Sequence, residues 1–199
     1  MSRGIAEVSS ALRWKRRGAL PFWPPRIQPA RHDTHTRKED TMYRSPSPLP
    51  EKARAAISDS LNERLADGLD LHSQIKVAHW NIKGPQFASL HPLFETFAVS
   101  LATHNDSIAE RAVTLGGKAY GTSRHVGKAS RLPEYPQDTT RDMEHVKLLA
   151  ERIEIYLDGL RKSRALFTEN GDSDSEGLAT DIITEFEKHA WFLRASLEG

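Results

Sequence analysis

Four side chains that can bind transition metals recur along one face of the second predicted helix. They are His91, Glu95, Asp106 and Glu110. At 100° per residue, all four fall within an arc of about 100° beside the apolar stripe of that helix. A purely solvated charged face would lie opposite the stripe, so this placement points to a site. His79, at the end of the first predicted helix, completes a set of nitrogen and oxygen ligands that suits iron, manganese or zinc.

The spacing divides these ligands into two incomplete sets. Glu95 and Asp106 are separated by roughly 16 Å along a helix, whereas metal–ligand bonds are roughly 2 Å. His79, His91 and Glu95 therefore form a first half-site, and Asp106 and Glu110 form a second half-site. An antiparallel copy related by a two-fold axis brings the first half-site of one chain against the second half-site of the other.

Each set also has an ordinary structural interpretation. His79 could be a hydrogen-bonded histidine at a helix end, and Asp106 and Glu110 could be solvated helix surface. Like charges four residues apart are mildly destabilising, however, and a bound cation relieves that repulsion. The Glu-x-x-His signature of bundles that hold two metals within one chain is absent, and the nearest match, Asp142 to His145, is interpreted as the start of a helix.

The elements that position these residues are four predicted amphipathic helices. Apolar residues recur every three or four positions within four stretches, which run from about Pro50 to Gly84, from Pro85 to Gly116, from Thr139 or Thr140 to Asn170, and from about Ser175 to Leu197. The apolar stripes include Phe87, Trp191 and Leu197. Residues 117–138 are predicted as a loop that could contain a short helix. Because no strand pattern of useful length occurs, we predict an all-α four-helix bundle with a crossover.

The composition excludes several classes of protein. The chain has 199 residues, of which 38% are hydrophobic and 28% are charged. No apolar run approaches the roughly 18 residues that a membrane span requires, so we expect no membrane association. The absence of cysteine excludes disulfides, thiolate metal sites and cysteine nucleophiles.

The first part of the chain differs in charge from the rest. Residues 1–44 carry ten Lys/Arg against four Asp/Glu, or +6, whereas residues 45–199 carry 18 against 23, or −5. Seven of the eleven prolines lie within the first 50 residues. We therefore predict a disordered, basic, Pro-rich extension over 1–49 and a folded domain over 50–199. The extension is open to three interpretations: a nucleic-acid-binding arm, a targeting segment, or an over-extended reading frame whose true start is Met42.

Several stretches together resemble the Dps family of mini-ferritins, the DNA-binding proteins from starved cells. The residues that carry the resemblance are Lys76–Phe87 (KVAHWNIKGPQF), Leu90–Glu95 (LHPLFE), Asn105–Ala112 (NDSIAERA) with Leu115–Gly117, and Glu185–Leu193 (EFEKHAWFL). The His-Trp-Asn and Asp-x-x-x-Glu-Arg blocks at this mutual spacing are highly specific. The resemblance extends over roughly residues 50–199.

The resemblance implies a ferritin-like bundle with a short extra helix in the middle crossover, assembled as a homododecameric shell. It also implies ferroxidase sites at the two-fold interfaces, with His79, His91 and Glu95 from one subunit and Asp106 and Glu110 from its neighbour. The family usually has Asp at the position of Glu95, whose side chain is one methylene longer.

The activity that the resemblance implies is oxidation of Fe(II), preferably by hydrogen peroxide, with storage of ferric oxide and protection of DNA. Trp80 is then either an interceptor of stray oxidising equivalents or a packed aromatic at the dimer interface. The alternative function is a nucleoid-associated protein that coats DNA through the basic N-terminal arm, with secondary iron chemistry. Either function fits a cytoplasmic, nucleoid-associated location.

A cluster of acidic residues, Asp172, Asp174 and Glu176, begins the last predicted helix. In the family, acidic residues near this point line three-fold pores that admit iron, whereas the ordinary interpretation is a solvated first turn that favours the helix dipole. An EF-hand is excluded because its twelfth position would be Ile183 and not Glu.

Overall fold

The computed structural model describes residues 42–198, and within that range it contains five helices and no strand. They are α1 (Glu51–Asn81), α2 (Phe87–Thr114), α3 (Ser123–Ala129), α4 (Asp142–Glu169) and α5 (Ser173–Leu197). Helices α1 and α2 form one hairpin and α4 and α5 another, and the hairpins meet where α1 packs on α4 and α2 on α5. The short α3 lies against α1 within the crossover. The predicted four-helix bundle with an extra crossover helix is confirmed.

The core is filled by apolar side chains from all four long helices. The largest that are fully buried are Phe94 and Phe97 on α2, Tyr156 and Phe167 on α4, and Phe186 on α5. Burial of a side chain of this size contributes about 1.5–3 kcal/mol. None of the helices in residues 42–198 is long and apolar enough to span a bilayer.

Three residues that were predicted to face the core are exposed instead. Phe87 is 46% exposed, Trp191 62% and Leu197 43%. Phe87 is the first residue of α2, and Trp191 lies on the outer side of α5 while its neighbour Ala190 is buried. A helical apolar pattern marks residues that avoid water, but it does not say whether this chain or another surface covers them.

The joint between α1 and α2 is longer than predicted, because α1 ends at Asn81 rather than Gly84 and α2 begins at Phe87 rather than Pro85. The backbone between them bonds to the start of α4: Lys83 N donates to Thr140 O at 2.7 Å, and Gln86 N donates to Asp142 Oδ2 at 2.9 Å. Gly84 turns the chain with a φ of 142°, and a Cβ there would collide with Asp142.

The last two helices also begin elsewhere than predicted. The third long helix, α4, starts at Asp142 rather than Thr139 or Thr140, because the preceding residues pair with Lys83. Helix α5 starts at Ser173, and the Asp172 carboxylate caps it by accepting a hydrogen bond from Ser175 N at 3.3 Å.

The predicted extension lies mostly outside the described residues, since residues 1–41 are not among them. Residues 42–49 are non-helical and contact the end of α2. Tyr43 N donates to Gly116 O at 2.7 Å, and Ser45 Oγ donates to Thr114 O at 2.6 Å. The chain therefore reaches α1 from the end of α2 that also carries Glu110.

Candidate metal centre

The two histidines of the first half-site are held together where α1 ends and α2 begins. His79 Nδ1 lies 2.8 Å from the backbone oxygen of His91, and His91 Nδ1 lies 2.9 Å from the backbone oxygen of His79. The two rings stack with centroids 3.8 Å apart. His79 lies in the last turn of α1, so its carbonyl lacks a partner within the helix and accepts the imidazole instead.

These two contacts fix the tautomer of both rings. A carbonyl oxygen can only accept a hydrogen bond, so each Nδ1 must carry the proton and donate it. In the neutral ring, each Nε2 is then left with a free lone pair, which is the form in which histidine binds a metal. The closure of the α1–α2 hairpin thus holds two imidazoles side by side, each with its Nε2 available.

Glu95 completes the first half-site one turn further along α2. Its Oε2 lies 3.4 Å from His79 Nε2, and the same oxygen accepts a hydrogen bond from Lys76 Nζ. The Lys76 hydrogen bond holds the pKa of Glu95 below its usual value. Lys76 was not among the predicted site residues, although its position one turn before His79 on α1 is the signal that could have identified it.

The first half-site lines an open groove of about 580 Å³ on the surface of the hairpin. Its lining residues are His79, His91, Pro92, Glu95, Thr96, Val99 and Ser100. Val99 is 60% exposed, and Phe87 stacks on the outer side of the His91 ring at 5.0 Å. The groove therefore presents imidazole and carboxylate groups beside an apolar surface.

The second half-site lies further along the same helix and is exposed. Asp106 and Glu110 face solvent, and no hydrogen bond or ion pair joins either carboxylate to another residue of the described chain. Asp106 borders a pocket that His72 also lines, and Glu110 borders another beside the exposed Val113. The structure therefore keeps the two predicted half-sites apart within one chain.

No three His, Asp or Glu side chains within residues 42–198 of a single chain are arranged to hold a metal ion. The first half-site brings its three residues into one groove without surrounding a common point. The second half-site offers two carboxylates on adjacent turns of α2.

Trp80, the remaining predicted site residue, projects from the end of α1. It is 67% exposed, and Lys76 Nζ lies 5.8 Å from the centre of its ring. Trp80 is therefore linked to Glu95 through Lys76, and most of its indole surface is left uncovered by its own chain.

The acidic residues at the start of α5 differ in their exposure to solvent. Asp172 is 3% exposed and accepts hydrogen bonds from Arg111 Nη2 at 2.5 Å and from Ser175 Oγ at 2.6 Å. Neither the pore nor the solvated-turn interpretation holds for Asp172, because this ion pair ties the end of α2 to α5. Asp174, with a side chain 84% exposed, remains on the surface.

Asp142 and His145 lie in the first turn of α4, where the sequence placed the start of a helix, but neither caps it. Asp142 Oδ1 accepts from Met143 N at 2.9 Å, while His145 Nδ1 lies 2.7 Å from the hydroxyl of Tyr135. The two side chains thus have separate partners.

Comparison with known proteins identifies the family. The family described as ferritin-like domain matches residues 58–199. A DNA protection during starvation protein from Agrobacterium fabrum is 37% identical over 165 residues, which are 83% of this chain and 97% of that relative. The chain belongs to the Dps group of the ferritin-like family. A second Dps relative, DNA protection during starvation protein 2 from Bacillus anthracis, is 36% identical over 71% of this chain and 96% of its own length.

Solved Dps structures share the fold. DpsC from Streptomyces coelicolor matches with a TM-score of 0.76 and 31% identity, over 79% of this chain and 92% of that one. A Dps protein from Vibrio cholerae O1, described as a member of a broad superfamily of ferritin-like diiron-carboxylate proteins, matches with a TM-score of 0.72 and 29% identity, over 75% and 93%. The all-helical bundle with its crossover helix is thus a Dps fold.

Proposed function

We propose that this Dps protein oxidises Fe(II) at a site shared by two copies of the chain and stores the ferric product. The observation that carries the proposal is the pair of histidines at the α1–α2 joint. Backbone carbonyls hold both Nδ1 atoms as donors, which frees both Nε2 atoms, and that of His79 lies 3.4 Å from Glu95 Oε2. Imidazole binds Fe(II) well, and carboxylates stabilise Fe(III), so this donor set suits both oxidation states.

The missing ligands are supplied by the second half-site of a partner. Asp106 and Glu110 are exposed and lie on the same helix face as the groove, too far along it to serve their own chain's histidines. In a two-fold antiparallel dimer each second half-site meets the partner's first half-site, so that each pair of chains makes two complete sites.

Hydrogen peroxide is the proposed oxidant. Two ferrous ions each lose one electron, one peroxide accepts both electrons with two protons, and two waters form without release of hydroxyl radical. The five ligands His79, His91, Glu95, Asp106 and Glu110 hold the iron while electrons transfer. Trp80, exposed and one contact away from Glu95 through Lys76, is proposed to intercept stray oxidising equivalents.

Exposed apolar side chains near the two half-sites support the assembly of several chains. Val99, Val113 and Trp80 are each more than half exposed in the single chain, and Val99 and Val113 lie within about 40° of each other on α2. We propose that this face joins two-fold pairs within a homododecameric shell, whose interior receives the ferric oxide.

A second candidate function is supported by the charge of the N-terminal part. Residues 1–44 carry +6 on a domain of −5, so a shell would display several cationic arms, which favours binding to DNA phosphates. DNA coating in the cytoplasm is the alternative proposal. It predicts that replacing Arg13, Lys15, Arg16 and Arg17 by Gln abolishes salt-sensitive retardation of DNA in gels. Gln at Arg124 and Lys128 on α3 is the control.

A mixing experiment tests the shared site directly. One variant, His79→Ala/His91→Ala, lacks the first half-site, and another, Asp106→Ala/Glu110→Ala, lacks the second. We expect neither to oxidise Fe(II) in stopped-flow measurements with peroxide. After joint unfolding and refolding at equal amounts, random pairing restores about a quarter of the sites, because each mixed dimer rebuilds one of its two.

Recovery of activity on mixing is the result that supports the proposal. If refolded mixtures stay as inactive as the separate variants while the wild type refolds to full activity, the half-sites do not complement each other. If the Asp106→Ala/Glu110→Ala variant alone is fully active, the assignment of these carboxylates is wrong.

A further inference from the structure

We propose that a buried polar chamber between α1, α2 and α4 binds a small neutral molecule that both donates and accepts hydrogen bonds, either water or hydrogen peroxide. The chamber is formed by Arg64 on α1, Asn105 on α2 and Tyr156 on α4. These residues are 3%, 4% and 0% exposed, respectively. With hydrogen peroxide as the occupant, the inference rests on the proposed function, in which peroxide is the oxidant.

Each of the three chamber side chains has a polar atom without a hydrogen-bond partner in the described part of the chain. These atoms are Arg64 Nε, both Nδ2 and Oδ1 of Asn105, and the hydroxyl oxygen of Tyr156. Arg64 Nε and Asn105 Nδ2 are donors, Asn105 Oδ1 is an acceptor, and the hydroxyl is both. Buried polar groups are almost always paired, either with protein or with a bound molecule, because an unpaired group loses its hydration without compensation. Four such atoms in one region therefore indicate a bound molecule that pairs with them.

Two glycines make room for these polar groups in the core. A Cβ on Gly68 of α1 would overlap with Asn105 Oδ1 and would lie 3.3 Å from the Tyr156 hydroxyl, so both groups approach the same point. Arg64 is one turn earlier on α1. Its guanidinium occupies the space that a Cβ on Gly159 would fill, three residues after Tyr156 on α4. The absence of both Cβ atoms thus lets the three side chains meet inside the bundle.

The charges around the chamber favour a neutral occupant. Asp67 is fully buried on α1, accepts a hydrogen bond from Arg131 Nη2 at 2.7 Å, and lies 3.5 Å from Arg64 Nη2. Burial and the nearby Asp67 raise the pKa of the Tyr156 hydroxyl, so a negative charge is disfavoured at this position. A cation is disfavoured by the Arg64 guanidinium, whose own pKa is lowered by burial. Water and hydrogen peroxide avoid both costs and can pair with donors and acceptors alike.

Asn105 lies between the chamber and the surface. It lines an open pocket of about 370 Å³, which His72 and Asp106 also line. Asp106 directly follows Asn105 and is one of the proposed iron ligands. A molecule that enters this pocket therefore passes the second half-site before it reaches the Asn105 amide. For hydrogen peroxide, the chamber is a binding site for the oxidant immediately behind a proposed iron ligand.

A high-resolution crystal structure of the full chain tests the chamber without any substitution. We expect electron density for an ordered molecule at a hydrogen-bond distance of about 2.7–3.2 Å from the Asn105 amide and the Tyr156 hydroxyl. After a soak in hydrogen peroxide, the density should become elongated if peroxide binds and should stay unchanged if water alone binds. A direct hydrogen bond between Asn105 and Tyr156, with no ordered molecule beside them, would overturn the proposal.

Rates of Fe(II) oxidation distinguish the two occupants. Tyr156→Phe removes one partner of the bound molecule and keeps the aromatic ring. If peroxide occupies the chamber, the ratio of the peroxide-driven rate to the oxygen-driven rate at low peroxide should fall by about two- to tenfold, the range for one hydrogen bond. Tyr43→Phe removes the hydroxyl of an exposed tyrosine and should leave the ratio at the wild-type value. An unchanged ratio for Tyr156→Phe, with ordered density in the crystal, assigns the chamber to water and excludes peroxide.

The two measurements remain decisive if one of them fails. Because the electron density is recorded for the wild type, a Tyr156→Phe chain that does not fold, as judged by circular dichroism, leaves the crystal test intact. The crystal test also needs no iron. A wild-type protein that does not oxidise Fe(II) would therefore refute the proposed function and leave the chamber to be judged by its density.

Discussion

Both half-sites draw on helix α2, and the first also takes His79 from α1, yet the chain holds their side chains very differently. In the first, both imidazoles are oriented by backbone carbonyls and Glu95 is held by Lys76. In the second, Asp106 and Glu110 are exposed, and neither makes a hydrogen bond or ion pair with the described part of the chain.

The difference reflects how each half-site is built. His79 and His91 are close in sequence and meet when one hairpin closes, so their geometry is fixed by local folding. Asp106 and Glu110 are like charges on adjacent turns, and they repel each other until a cation arrives. The first half-site is therefore a group of donors that its own chain orients, and the second is an exposed anionic surface that the described part of its own chain does not pair.

The largest expected effect on Fe(II) oxidation comes from removing the two exposed carboxylates of the second half-site. Asp106→Ala/Glu110→Ala should reduce the rate of Fe(II) oxidation by at least about a hundredfold, because the iron loses all the partner's carboxylates. Unfolding stability should change little, since exposed substitutions away from special contacts stay within about 0.5 kcal/mol. Stopped-flow absorbance and thermal unfolding measure the two quantities.

The matched control removes the same charge elsewhere. Asp59→Ala/Asp181→Ala takes two exposed carboxylates from α1 and α5 and should oxidise Fe(II) at the wild-type rate. Equal loss of rate in both double variants would mean that overall charge, rather than the second half-site, sets the activity.

A smaller effect is expected from separating the two chains of the proposed dimer without replacing any of the proposed iron ligands. Val99→Arg places a charge in the exposed apolar part of the groove, and an unpaired charge buried at an interface costs several kcal/mol. The oligomer should dissociate on size-exclusion chromatography, and the oxidation rate should fall with it. Val99→Thr, which keeps the shape, should retain both. A dissociated Val99→Arg chain that oxidises iron at full rate would show that one chain suffices.

The sequence predicted the helices better than the contacts between them. The period of Leu61, Leu65 and Ile75 predicted α1 because buried helical faces repeat in sequence. The limits of the α1–α2 joint could not be predicted, since Lys83 bonds to Thr140, far along the chain.

The same limit explains which site features were missed. Lys76 on α1 bonds to Glu95 on α2, and its position one turn before His79 places it near the site without revealing that partner on the other helix. Trp191 was placed in the core because an apolar residue on an outer face has the same period as a buried one. Asp172 was expected in a pore or in solvent, whereas Arg111 from another helix buries it.

A modest effect on metal binding is expected when Glu95 of the first half-site loses its ion pair with Lys76. Lys76→Met removes the cation that competes with iron for Glu95, so binding of a divalent ion to the first half-site should tighten by about two- to fivefold, the range expected for an exposed ion pair. Isothermal titration with Co(II) in the Asp106→Ala/Glu110→Ala background measures it. Lys76→Arg, which keeps the charge, should bind like that background, and tighter binding by Lys76→Arg would exclude charge competition as the cause.

The smallest expected effect is the contribution of the Lys76–Glu95 ion pair to the pH dependence of unfolding. Lys76 lowers the pKa of Glu95 in the folded chain, so the pair stabilises the fold above the ordinary pKa of glutamate. That stabilisation is lost as the pH falls through the lowered pKa. Thermal unfolding of the wild type from pH 7 to pH 3 should therefore include a loss that Lys76→Met does not share. Identical pH profiles for the two proteins would mean that Lys76 orients Glu95 without stabilising its charged form.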